Sequence, residues 1–224
     1  QVDMHRKKIA ELFDYHPKVF RNTELIYSDE IAKSVKQMGF KVQLAEGAKH
    51  VLAWRSPNYV YANYPDGDLT LLLKNFQLSD DIAFRFSQHS WQGFPLTSEK
   101  FVSWLSQIEN PDCINLFMDY ETFGEHQWQQ TGIFDFLEHL PFEVLNRSDF
   151  DFATPSEVAE RYTVRDKVSS VSPMSWADEE RDLTAWLGND LQNDSFAQLY
   201  SLKEAVMKSG DENILNAWRR LQTS

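Results

Sequence analysis

The acidic cluster Asp119-Tyr120-Glu121-Thr122-Phe123-Gly124-Glu125-His126 directly follows the apolar run Ile114-Asn115-Leu116-Phe117-Met118. A short apolar run behind Pro111-Asp112 is the pattern of a strand covered on both faces, and residues just past such a strand line the ligand crevice of α/β proteins. A second acid, Glu24, lies between the short apolar pair Val19-Phe20 and a helix that starts at Ser28-Asp29-Glu30-Ile31. Glu24 and Asp119 are therefore candidates for two carboxylates brought to one crevice from separate strand ends. Ordinary surface roles compete with this reading. An acidic loop after a strand is common, and a glutamate near a helix start complements the helix dipole.

Glycoside hydrolysis needs such a pair. In its retaining form one carboxylate attacks the anomeric carbon and the other protonates the leaving oxygen, with the carboxyls roughly 5 to 5.5 Å apart. One must be ionised and the other protonated, and Arg21 supplies a positive charge beside Glu24 for the ionised member. The many Trp and Tyr residues suit sugar stacking, with core packing as the ordinary alternative. A metal-dependent hydrolase is the competing chemistry, with Asp119, Glu121, Glu125, His126 and His139 as possible ligands, but no His-x-x-x-His or Cys-x-x-Cys spacing supports it. There is no Gly-rich phosphate loop and no Gly-x-Ser-x-Gly nucleophile elbow.

The elements that must position these groups alternate along the chain. Helical spacing covers residues 2–13, and Pro17 ends that segment. Ser28 starts a helix that Gly39 ends. Lys41–Leu44, His50–Trp54 and Leu69–Leu73 read as strands. Ser79-Asp80-Asp81 reads as a helix start, and Thr97 opens a further helix with Phe101, Trp104, Leu105 and Ile108 on one face. Helical spacing over Ile133–Leu140 stops at Pro141, with Phe142–Leu145 as a strand, and Thr154-Pro155-Ser156-Glu157 is a capping box. This order predicts an α/β domain with a largely parallel sheet over residues 1–164. The polar, turn-rich stretch 165–174 reads as a linker, and residues 175–224 as a small helical bundle.

Composition narrows the partners. The 224 residues carry 34 Asp and Glu against 22 Lys and Arg, a formal net charge of −12, with no basic cluster. Nucleic acid and anionic membrane surfaces are therefore poor partners, and an uncharged or cationic polar ligand fits better. The single cysteine, Cys113, has no intrachain disulfide partner. With no membrane-spanning stretch and no signal-peptide pattern, the expected location is cytoplasmic.

At these same residues the chain resembles glycoside hydrolase family 57, in particular its α-amylase-like members. Phe20-Arg21-Asn22-Thr23-Glu24-Leu25-Ile26-Tyr27 is similar to the family's third conserved region, whose glutamate is the nucleophile. Met118–His126 is similar to the fourth, whose first aspartate is the proton donor. Arg181-Asp182-Leu183-Thr184-Ala185-Trp186-Leu187-Gly188-Asn189-Asp190 is similar to the fifth, which brings substrate contacts from the helical region.

The resemblance implies a (β/α)7 barrel, here its carboxyl-terminal part, and a retaining mechanism on α-1,4-glucans without a required metal or other cofactor. Glu24 is then the nucleophile and Asp119 the acid/base, with Arg21, His126, Asp182 and Trp186 toward the substrate. The family's first region, a His-Gln-Pro stretch, and its second, a Gly-Asn-x-Glu stretch, have no counterpart. The expected partners are an α-glucan or maltooligosaccharide and the amino-terminal half of the same catalytic domain. Transfer or branching on the same site, and a noncatalytic glucan-binding fragment, are the alternatives.

Overall fold

A computed structural model describes residues 1–146 and 149–222. The chain divides into two units, Gln1–Trp176 and Ala177–Ser224. In the first unit the elements run α1 (Val2–Phe13), β1 (Val19–Arg21), α2 (Asp29–Gln37), β2 (Val42–Glu46), α3 (Lys49–Leu52), β3 (Tyr61–Asn63), β4 (Thr70–Lys74), α4 (Phe76–Ala83), α5 (Ser98–Leu105), α6 (Ile133–Leu145), α7 (Pro155–Arg161) and β5 (Asp166–Val168). The second unit holds α8 (Thr184–Leu187), α9 (Asp190–Ser201), α10 (Lys203–Ser209) and α11 (Glu212–Arg220).

The strands form one sheet in the order β1-β2-β4-β3-β5. β1, β2 and β4 are parallel, whereas β3 runs antiparallel to β4 and parallel to β5. This is the α/β architecture with a mostly parallel sheet that the alternating pattern predicts. The described strands leave that sheet open, with β1 and β5 at its edges.

Leu71, Leu72 and Leu73 are all fully buried because the sheet is covered on both faces. On one face Phe20, Ala45, Leu71 and Leu73 pack with Ala32 and Val35 of α2 and Leu52 of α3. On the other Val19, Val42, Leu44 and Leu72 meet Val158 of α7. A separate cluster joins Ile82 of α4, Phe101 of α5 and Phe136 of α6 to Ile114, Leu116 and Met118. That cluster backs the loop carrying Asp119.

Several expectations need correction. Residues 114–118 make one parallel bridge, Lys74 with Asn115, rather than a ladder. Side chains take the other bonds: the Phe117 N–H donates to the Ser79 hydroxyl and the Asn115 amide to the Leu73 carbonyl. His50–Trp54 is not a strand, since Lys49–Leu52 forms a helical turn. An apolar run as short as Val51-Leu52-Ala53-Trp54 does not separate the two states. Gly47 sets up that turn, because a β-carbon there would strike the Lys74 carbonyl.

Phe142–Leu145 is the last turn of α6, which continues through Pro141. Proline removes one backbone donor, and the Leu137 carbonyl that loses it belongs to a solvent-exposed residue. Finally, residues 165–174 are no linker. They contain β5, and Arg165 clamps the buried Asp112 through both carboxylate oxygens at 2.6 to 3.1 Å.

Helix starts were more legible. Ser28, Thr97 and Thr154 cap α2, α5 and α7 with their side chains, and the Thr154–Glu157 capping box is complete. α4 begins one residue past β4, capped by Asn75 rather than by Ser79, which is buried inside it. In the second unit the Trp218 indole donates to the Leu199 carbonyl at 2.8 Å, tying α11 to α9. Among the described residues no helix is long and apolar enough to cross a membrane.

Phe101 is fully buried against Phe136 and Trp104. Phe101→Ala is expected to destabilise the first unit by about 3 to 5 kcal/mol, read as a lower urea midpoint at unchanged slope.

Candidate active site

β1 ends at Arg21, and the chain turns sharply into a 3-10 turn, Thr23–Leu25. Glu24 (φ 50°) and Leu25 (φ 51°) are consecutive non-glycine residues in the left-handed region. Each costs on the order of 1 to 3 kcal/mol and persists only where the surroundings determine it. Three features do so here. Asn22 accepts from the Thr23 N–H and donates to the Ile26 carbonyl. Leu25 is fully buried. A strap, residues 169–176, lies along the turn.

The strap is hydrogen-bonded at several points. Tyr27 and Met174 exchange backbone bonds at 2.9 and 2.8 Å, and the Trp176 N–H donates to the Glu24 carbonyl at 3.1 Å. Ser169 and Ser170 donate to the two oxygens of Asp29. The same strap delivers the Trp176 indole N–H to Oε2 of Glu24 at 2.6 Å. The Arg21 guanidinium lies 4.9 Å, and the Lys74 ammonium 5.1 Å, from the centroid of that indole.

Lys74 is itself buried at the end of β4, 3.1 Å from Asp80 and 3.8 Å from Glu46, which ends β2. Glu46 also accepts the Gly47 N–H at 2.7 Å. The carboxyl ends of β1, β2 and β4 thus carry Arg21, Glu46 and Lys74, with Trp176 over the first and last.

Asp119 stands at the head of a wound loop. The Glu125 and His126 N–H groups both return to the Glu121 carbonyl, and Gly124, at φ 118°, pairs with Gln127. Gln127 is buried and donates to the Ala83 carbonyl, pinning the loop to the end of α4. His126 stacks on Phe84 with ring centroids 6.3 Å apart. The Asp119 side chain reaches solvent, yet the protein around its carboxyl strips part of its hydration and raises its pKa above the ordinary value. The charges of Glu121 and Glu24 add to the rise, while Arg21 and His126 oppose it. Asp119, Glu24, Arg21 and His126 therefore share one electrostatic environment.

Asp182 and Trp186 belong to the second unit. The Asp182 carboxylate accepts the N–H and hydroxyl of Thr184, at 2.8 and 2.6 Å, and Trp186 is half-buried in α8. His139, a possible metal ligand from sequence, sits on α6 with Nδ1 on the Asp135 carbonyl. Among the described residues no three His, Cys, Asp or Glu side chains are grouped to hold a metal ion.

Sequence reasoning missed Trp176, hidden in the turn-rich stretch before it, and also Glu46 and Lys74. The last two were within reach, because each is the first charged residue at the end of an apolar strand, as Arg21 is in β1 and as Asp119 is after the 114–118 run.

The profile of Glycosyl hydrolase family 57 matches residues 1–171. The chain belongs to that family. A Methanocaldococcus jannaschii protein named "Putative alpha-amylase" is 44% identical over 233 aligned positions, covering 100% of this chain and 49% of the relative. The chain thus spans about half the length of that relative. Among solved structures, the 4-alpha-glucanotransferase of Thermococcus litoralis shares the fold, with a TM-score of 0.61 at 19% identity over 91% of this chain and 31% of that one.

Glu121 raises the Asp119 pKa, so removing its charge lowers it. Glu121→Gln is expected to move the Asp119 titration, followed by carboxyl-carbon NMR, to lower pH. An unchanged midpoint would count against the shared field.

Proposed function

We propose that this chain carries the catalytic acids of a retaining enzyme acting on α-1,4-glucans, with Glu24 as nucleophile and Asp119 as acid/base. The observation that carries the reading is the fixed placement of Glu24 after β1, its Oε2 accepting the Trp176 indole N–H at 2.6 Å, with Asp119 on a separate segment near enough for the charge of Glu24 to help raise its pKa. Membership of family 57 supports the same chemistry. The expected separation of the two carboxyls is roughly 5 to 5.5 Å, which lets one carboxylate reach the anomeric carbon directly.

In the first step an oxygen lone pair of Glu24 forms a bond to the anomeric carbon as the glycosidic C–O bond breaks. The departing oxygen takes the proton of Asp119. In the second step Asp119 removes a proton from water, whose oxygen attacks the same carbon and releases Glu24. A raised pKa suits the proton donor, since it keeps the acid loaded to higher pH. Arg21 and His126 lie in the same field, and Asp182 and Trp186 are proposed to bring substrate contacts from the second unit. The (β/α)7 barrel is proposed to be completed by polypeptide from the other part of the family's catalytic domain.

Transfer to a second sugar is the second reading. Tyr120 and Trp128, exposed at 95% and 63% beside the Asp119 loop, offer rings for an acceptor glucose to stack on. Water and a sugar hydroxyl compete for one covalent intermediate, so the site chemistry is common to both outcomes.

Glu24→Ala in the full-length protein is expected to lower turnover of an activated aryl α-maltoside by at least about a thousandfold, with azide restoring part of the rate as the glycosyl azide. Turnover unchanged by the substitution would overturn the nucleophile assignment, and loss of wild-type activity with a chelator would favour metal-assisted hydrolysis instead.

A further inference from the structure

We propose that Trp176 is a positioning residue for Glu24: its indole N–H holds Oε2, so that Oε1 is the oxygen presented to the anomeric carbon. The inference rests on the reading of Glu24 as nucleophile. A carboxylate on a freely turning side chain offers either oxygen. Here Oε2 receives a hydrogen bond of 2.6 Å, and the same residue's backbone N–H fixes the Glu24 carbonyl at 3.1 Å. One residue therefore holds both ends of the glutamate.

The indole is itself held. Arg21 and Lys74 lie over its ring at 4.9 and 5.1 Å, and Lys74 is locked in turn by Asp80 and Glu46. Cations over an aromatic face are attracted by its quadrupole, most strongly where water is excluded, and Lys74 is buried. The strap that carries Trp176 is anchored by the exchanged bonds of Tyr27 and Met174. A donor placed in this way needs no reorganisation as the reaction proceeds.

The hydrogen bond fits both chemical steps. When the Oε1 lone pair forms the bond to the anomeric carbon, Oε2 becomes the carbonyl oxygen of the glycosyl ester and still accepts the indole N–H. When water attacks, the ester C–O bond breaks and its electron pair returns to Oε1. Oε2 keeps one partner throughout, and only Oε1 changes its bonding.

The test uses the full-length protein and an aryl α-maltoside. Trp176→Phe keeps a ring for the cations and deletes the N–H. It is expected to lower kcat by about tenfold to a hundredfold with KM within about threefold, the signature of an interaction used in the reaction rather than in binding. In the Glu24→Ala background, with azide as external nucleophile, the same substitution is expected to change the rate by less than about threefold, because no carboxylate remains to orient.

Equal losses in the two backgrounds, or no loss in the parent, overturn the positioning role while leaving Glu24 as nucleophile. Full activity of Glu24→Ala without azide overturns the nucleophile reading and this inference with it. Thermal melting checks that the phenylalanine variant is folded. If it is not, Trp176→His and Trp176→Leu carry the test. The histidine, with its ring N–H, is expected to keep at least about tenfold more kcat than the leucine, and equal losses overturn the proposal.

Discussion

The closure of residues 169–176 over the turn at Asn22–Tyr27 is the constraint on which the site depends. Two adjacent residues held at left-handed φ would relax if the turn were free, because neither is glycine. The burial of Leu25, the Asn22 side-chain bonds and the backbone exchange between Tyr27 and Met174 together hold them in place. What that closure delivers is a fixed Glu24 at the end of β1, with Trp176 on its carboxylate and Arg21 beside the same ring. The strain of the turn and the placement of the acid have one cause.

The two acids are built differently, and the difference matches their proposed roles. Glu24 is anchored from both sides in a rigid turn, as a group that must attack along one line requires. Asp119 heads an acidic loop where partial burial and the nearby charges of Glu121 and Glu24 favour the protonated form. A nucleophile needs fixed direction, and a proton donor needs a loaded proton. β1 and the 114–118 segment bring these two environments together, although neither is long.

Much of this was legible in the sequence, for identifiable reasons. Helix starts with a side-chain cap, such as Thr97 and Thr154, are local signals and came through. The leucines of β4 read as a strand buried on both faces. Where the reading failed, tertiary contacts decided the outcome. Phe142–Leu145 has strand composition but stays helical through Pro141, and the turn-rich 165–174 stretch is tied into the sheet through β5 and the Asp112–Arg165 pair. The apolar run before Asp119 reads as a strand in sequence but is no full strand, because Ser79 and Asn115 take part of its hydrogen bonding. Trp176 could not be found locally, since its meaning depends on Glu24, far away in sequence.

The central claim is that Glu24 forms a covalent bond to the sugar. Incubating the full-length protein with a 5-fluoro-α-glucosyl fluoride, whose ring fluorine slows both steps while its fluoride leaving group keeps the first one fast, should leave a stoichiometric mass increase of one fluoroglucosyl group. Peptide mapping should place it on Glu24. Recovery of the unlabelled protein while the reagent is turned over, or a label on another residue, would contradict the account.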